Sequence, residues 1–372
     1  MKIIAIETHL IRVRADMGAA AGEFVAASWS RLDTLFLRVV TDQGLEGWGE
    51  GFGHAVCPAT RVAIETMLAP AVLGQDARDI RGLHHRLAQH FHLYGRNGPL
   101  TYALSALDIA LWDIAGKAAG LPLCRLLGAA PPLDGFAAYA SLLRYSEPKL
   151  VGEAAARAAA QGYRHIKLHE IDIPQVAAAR SAIGPDVPLM LDTNCPWTVA
   201  EAIGMAKRLR PFELTWLEEP VWPPEDHAGL ARVRREGGIP IAAGENAAGL
   251  HDFRAQFAAG ALDIAQPSVT KIGGITEVLR IAALAEAKGV RMVPHCAYFG
   301  AGYLASLHLQ AALAPTAPFE HLFLDLEASP YHDLVQAPGG RARMPDGPGL
   351  GRDPDAAVLA RFALSPPVTL RA

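Results

Sequence analysis

A chain of 372 residues that is 51% hydrophobic and 19% charged has the composition of a globular protein with a large core. Its 34 Lys and Arg against 38 Asp and Glu give a formal charge of −4. Because acids and bases are interspersed, composition argues against a nucleic-acid binder and against a polybasic membrane-surface protein.

The N-terminal segment alternates in the manner of a strand and has no long apolar core, so no signal peptide is expected. Elsewhere no window reads as apolar enough, for long enough, to span a bilayer. The four cysteines, Cys57, Cys124, Cys195 and Cys296, form no CxxC pair, which points to reduced thiols in a cytoplasmic protein. Strand patterns cover Lys2–Val13 and Leu32–Thr41, and Leu45–Glu50 returns after an Asp42-Gln43-Gly44 turn. Between the first two lies Ala15–Arg31, rich in Ala and Gly, with Glu23, Trp29 and Arg31 as its larger side chains; it reads as a lid. Helical patterns follow at Ala59–Val72, Ile80–His92 and Gly98–Ala119. The last is apolar around most of its circumference, hence buried, and it stops at Gly120 with Pro122 beyond.

From Pro131 short apolar strands alternate with Ala-rich helices. Phe136–Ser141, His165–His169, Leu189–Asp192, Leu214–Glu218, Ile241–Glu245, Asp263–Gln266, Arg291–His295 and Phe319–His321 recur roughly every 25 residues. Eight such strands predict a parallel β/α barrel. The other α/β architecture, a doubly wound sheet, normally carries a Gly-rich phosphate loop after its first strand, and there is none.

Catalytic groups of a barrel sit where its strands end. In order those ends carry Lys167 and His169, Asp192 and Asn194, Glu218, Glu245, Ser268, His295 and Glu320. Asp192, Glu218 and Glu245, on three consecutive strands, would raise one another's pKa unless a hard divalent cation sat between them, and all-oxygen ligation suits magnesium. Glu218 is assigned inward, with Glu219 outward in a structural hydrogen bond before Pro220. Lys167 and His169 are two apart and face the same way, with His295 across the barrel. A metal plus a base poised near neutrality is what deprotonation next to a carboxylate, through an enediolate, requires.

These residues resemble the enolase superfamily, in its mandelate racemase-like branch. The resemblance covers nearly the whole chain. It rests on Gly47-Trp48-Gly49-Glu50, the Ala106-Leu107-Asp108 to Trp112-Asp113 helix, Leu191-Asp192-Thr193-Asn194, Trp216-Leu217-Glu218-Glu219-Pro220, Gly244-Glu245-Asn246, Lys271-Ile272-Gly273-Gly274 and Gly347-Pro348-Gly349-Leu350-Gly351. It implies an α/β fold: a modified TIM barrel, (β/α)7β, spanning 126–345, with an α+β capping domain made of 1–125 and the tail 346–372. It implies Mg2+ on Asp192, Glu218 and Glu245, acid/base chemistry by Lys167, His169 and His295, and specificity loops at Ala15–Arg31 and Gly51–Pro58. Asn194, Ser268, Glu320 and Trp29 are the expected substrate contacts.

Two departures stand out. Lys167-Leu168-His169 replaces the branch's frequent Lys-x-Lys, and Ser268 stands where an aspartate often orients the seventh-strand histidine. Without that charge His295 is expected to lose support for its imidazolium form. Lys271 lies too near the Gly pair to be assigned as a base. The expected reaction is dehydration of a small hydroxy or sugar acid. The alternative is a two-base racemase or epimerase, and more distant ones are a Schiff-base aldolase through Lys167 or an inactive family member. The expected partner is a small carboxylate substrate, with no nucleic acid or membrane, in a homo-oligomer.

Overall fold

The computed structural model describes residues 1–18, 30–130, 132 and 134–372. Strands β1 (Ile3–Asp16), β2 (Arg31–Thr41) and β3 (Glu46–Gly51) form an antiparallel sheet. The tail returns to this sheet, where a last strand, Val368–Arg371, pairs with β1 from Ala5 to Thr8. Of the expected lid, Ala15 and Asp16 still belong to β1; Glu23 and Trp29 lie outside the described residues.

Helix α1 (Ile80–His90) begins at Asp79, whose carboxylate accepts the Gly82 N–H at 3.2 Å. Helix α2 (Pro99–Ala119) starts with proline at its first position, ends at a left-handed Gly120 (φ 65°), and is buried over most of its length. Gly47 and Gly49 explain how closely β3 lies on α2. A Cβ on either would come within 2.1 Å and 1.9 Å of the Ala110 and Ala106 carbonyl oxygens, so only glycine fits. The run His54–Val72 corrects two expectations. By length and composition it is apolar enough to cross a membrane, yet Cys57, Ile64, Leu68 and Val72 pack into the cap core. It is also not one regular helix: Ile64–Leu68 winds as a π-turn, in the stretch where Pro70 can donate no backbone hydrogen bond.

The barrel strands are β4 (Phe136–Ser141), β5 (Ile166–Leu168), β6 (Leu189–Asp192), β7 (Leu214–Glu218), β8 (Ile241–Ala243), β9 (Ile264–Ala265), β10 (Arg291–Met292) and β11 (Phe319–Leu322). They pair in parallel in sequence order from β4 to β10, and β11 returns beside β4. Helices lie between them; the one at Val199–Leu209 opens with a reciprocal Thr198–Glu201 capping box. Tyr139, Met190, Trp216, Ala242, Ile264 and Val293 fill the interior as an apolar plug. Because side chains alternate along a strand, Asp192 two residues after Met190, Glu218 two after Trp216 and His295 two after Val293 stand above that plug, at the strands' C-terminal ends.

Two carboxyl groups of the capping domain close barrel helices from outside. Glu50, at the end of β3, accepts the Gly302 N–H at 2.7 Å in the first turn of helix Ala301–Leu313. Asp108, on α2, accepts the Thr276 N–H at 2.8 Å at the start of helix Ile275–Lys288. Helix N-termini leave unpaired N–H groups that favour such partners. Burial nevertheless dominates, pushing Glu50 up to about 8 and Asp108 up to about 6.

Candidate active site and cation centre

Lys167 is fully buried above the plug. Its Nζ lies 2.6 Å from Glu320 Oε1, 3.0 Å from Glu218 Oε1 and 3.3 Å from Asp192 Oδ2. Burial opposes its charge, but Glu218 and Glu320 outweigh this and hold the ammonium well above its usual pKa. One cation against three acids leaves negative charge over, and Glu218, in full burial, is pushed well above the carboxylate range despite Lys167. Asp192 and Glu320 are both brought down to about 2. Burial raises each, and Lys167 more than reverses it, aided by His169 at Asp192 and by His295 at Glu320.

Asp192, Glu218 and Glu245 each offer an oxygen, the three within 4.8 Å of one another. Oxygen ligands stand about 2.0–2.1 Å from magnesium, so one cation suits this set, and the surplus negative charge gives it a reason to bind. Each acid is held from behind. Asn194 donates its backbone N–H and its Nδ2 to Asp192 Oδ1, both at 3.0 Å. Trp216 Nε1 and Gln266 Nε2 donate to Glu218 Oε2 at 2.7 and 2.9 Å. Glu245 lies beyond the end of β8; Gly244, with φ 134°, turns the chain so that it joins the cluster.

The histidines attach at different acids. His169 Nε2 is 3.3 Å from Asp192 Oδ2, while its Nδ1 donates to the Leu142 carbonyl at 2.6 Å. His295 Nε2 is 2.9 Å from Glu245 Oε2, and its Nδ1 lies 3.2 Å from Ser268 Oγ and 3.4 Å from Tyr298 Oη. Burial works against a charged His295, but Glu245 and Glu320 outweigh it and hold the ring above its ordinary value. Ser268 itself brings no charge to the ring; the acids beside it are Glu245 and Glu320.

Among the expected substrate contacts, Trp29 lies outside the described residues. Ser268 is fully buried beneath His295 and hydrogen-bonded to Tyr298, so it supports the ring from behind instead of facing a substrate. Asn194 is spent on Asp192. Glu320 holds Lys167 and accepts from Ser141 Oγ at 3.0 Å and the Cys296 N–H at 2.8 Å. Glu219 is buried and accepts from Asn246 Nδ2 at 2.6 Å. Lys271 Nζ reaches Asn246 Oδ1 at 2.9 Å and lies 4.8 Å from the Phe52 ring centre, a tie between barrel and cap.

Sequence reasoning missed Arg144 and Tyr298. Arg144 donates from Nε to the His169 carbonyl at 2.6 Å and from Nη2 to the Thr193 carbonyl at 3.1 Å, clamping the ends of the second and third strands together. It follows directly on an apolar strand, a position that invites a mouth assignment. Tyr298 stands three residues after His295, within reach of the place where an aspartate is missing.

A (β/α)7β barrel with carboxylates, lysine and histidines at its mouth defines an enzyme of the enolase class. Residues 16–128 match the mandelate racemase/muconate lactonizing enzyme N-terminal domain, and residues 149–358 match the enolase C-terminal domain-like family. The chain belongs to the mandelate racemase/muconate lactonizing enzyme family of the enolase superfamily. It is 35% identical to D-galactarolactone cycloisomerase of Agrobacterium fabrum, over 99% of this chain and 100% of that one. It is 31% identical to arabinonate dehydratase of Saccharolobus solfataricus, over 86% and 88%. A racemase from Streptomyces coelicolor, solved with bound magnesium, superposes with a TM-score of 0.84 at 31% identity, covering 97% of this chain and 100% of that one. Members of this kind are lyases and isomerases, and the chain is an enzyme of that group.

Proposed function

We propose that the protein eliminates a β-oxygen from an acid sugar, removing the proton next to the substrate carboxylate. The observation that carries this reading is that two histidines reach one carboxylate cluster at different acids, His169 at Asp192 and His295 at Glu245. The relatives support the substrate class: one is named for a sugar lactone and another for an aldonate.

Asp192, Glu218 and Glu245 would hold magnesium, which would supply positive charge to the substrate carboxylate. Lys167, held by Glu320, keeps its positive charge beside the acids of the cluster. His169, whose Nδ1–H is committed to a carbonyl, takes the α-proton at Nε2. His295 gives a proton to the departing β-oxygen. The α-C–H and β-C–O bonds break, a carbon–carbon double bond forms, and the enol so produced becomes a 2-keto acid. The leaving oxygen departs as water from an open-chain substrate or stays attached as the opened end of a cyclic one.

The test is a panel of aldonates, aldarates and their lactones with magnesium in D2O, followed by NMR. Expected is a 2-keto acid with deuterium entering at its C3, the β-carbon, when the enol becomes the ketone. Recovery of inverted substrate without a keto acid would establish the second reading, 1,1-proton transfer between the same histidines. Neither keto acid nor α-exchange with any member would overturn both for this substrate class.

A further inference from the structure

We propose that a cavity outside the barrel mouth binds a small alkylated ammonium ion, at a site separate from the catalytic one. The cavity holds about 600 Å3, within the range of small-molecule sites. It lies between the first barrel helix (Pro148–Ala160), strand β11 and the segment that follows that strand. Neighbours on a strand face opposite ways, so Glu320 meets Lys167 at the mouth while His321 lines the cavity. None of the acids, the lysine or the two histidines of the candidate active site lines it. The inference does not rest on the elimination reading.

The inner wall is aromatic. Tyr163 stacks on His321 with ring centres 6.2 Å apart and planes 14° from parallel. Phe323 meets Tyr163 edge-on at 5.6 Å, and Phe299 meets His321 at 6.0 Å. Burial pushes His321 down to about 4, so its ring brings no positive charge. The rim is acidic: Asp16, Asp325, Glu327 and Asp333 border the cavity, and all four are exposed. Among the described residues Arg157 is the only lysine or arginine in the lining. Its guanidinium is committed to the Met17 and Gly18 carbonyls at 2.8 and 3.3 Å and lies 5.4 Å from the Phe323 ring centre, so this wall already holds one cation against an aromatic ring. At the edge His332 is tied to Asp355 at 2.9 Å, and Arg352 lies 3.9 Å from Asp333.

Four acids against one arginine give the opening a negative potential, which attracts cations and repels the carboxylate of an acid sugar. The rings add their own attraction for a cation and take up apolar carbon. A bare metal ion needs oxygens that converge, and among the described residues the rim acids form no such set. An ammonium carrying alkyl groups satisfies the rim and the wall together.

The experiment is calorimetric titration of the magnesium-saturated enzyme with choline, and with neohexanol, its uncharged isostere with carbon in place of nitrogen. Choline should bind at least about tenfold more tightly than neohexanol. Its binding should weaken as salt is added, because the rim acids are exposed. Asp325→Asn combined with Glu327→Gln should weaken choline binding at least about fivefold. Tyr163→Leu should weaken it too; should that variant not fold, the exposed acid pair carries the test. Asp192→Asn, which alters the cation centre, should leave choline binding unchanged. Absence of choline binding, equal affinity for neohexanol or indifference to the acid pair would overturn the proposal. So would loss of binding in Asp192→Asn, which would place choline at the carboxylate cluster. None of these readouts needs turnover, so failure here leaves the elimination reading standing, and the reverse holds as well.

Discussion

Lys167 Nζ lies 2.6 Å from Glu320 Oε1 with both side chains buried, closer than to the two candidate cation ligands it also meets, Glu218 at 3.0 Å and Asp192 at 3.3 Å. Removing one partner of a buried ion pair costs about 3–5 kcal/mol. Lys167→Met should therefore lower the denaturation midpoint in EDTA, and added magnesium should restore more stability than it adds to wild type. Equal midpoints in EDTA would show that the acids do not need this charge.

Asp192→Asn, Glu218→Gln and Glu245→Gln should each weaken magnesium binding by at least about tenfold in calorimetry and nearly abolish turnover, while circular dichroism stays that of the folded barrel. An amide keeps the shape but offers a neutral oxygen where the cation needs charge. Unchanged affinity in two of the three would remove the ligand assignment.

The two histidines should separate in D2O. His169→Asn should abolish α-proton exchange, since its Nε2 is the group placed to accept the proton. His295→Asn should block product formation yet leave some exchange. The reverse pattern would exchange their roles and leave the cation centre untouched.

Glu50 predicts a pH effect on stability. Its carboxyl is raised by burial from 4.5 to about 8, so the folded state favours the neutral acid. That contribution is fully present below the unfolded pKa and is lost as pH rises through the folded one. Stability should fall by up to about 1.4 kcal/mol per pH unit from this group between those values. Glu50→Gln, which does not titrate, should flatten the urea midpoint profile from pH 5 to 9. An unchanged slope would mean Glu50 is already ionised in the fold.

Much of the barrel was legible because a strand announces itself by its apolar run and a mouth residue by the break in that run. Phe136–Ser141, Leu189–Asp192 and Leu214–Glu218 are read with their ends in place. The fifth, sixth and seventh strands are shorter than expected, ending at Ala243, Ala265 and Met292. Glu245 and His295 still reach the mouth because turns carry them there, and apolar patterning is blind to turns. The groups behind the site were hidden for a different reason. Arg144 and Tyr298 act through hydrogen bonds between segments distant in sequence, and the support that Asn194, itself singled out for another role, gives Asp192 depends on a loop conformation with a φ of 53°; neither leaves a periodic trace. Ser268 was legible as a missing charge, but the hydroxyl that joins it required coordinates.

The helices that follow the sixth and seventh strands begin on acids donated by the other domain, Asp108 and Glu50. This limits how the molecule can be recombined. Grafting a foreign cap to import new specificity loops would strip both helix starts of their partners unless the graft brings the same two acids in the same register. Those helices carry the chain onward from Ser268 and His295, so a mismatched graft would disturb the reacting groups before it altered substrate choice. The inheritable unit for a change of specificity is therefore the loop alone, or the cap together with both acids, and not the cap outline.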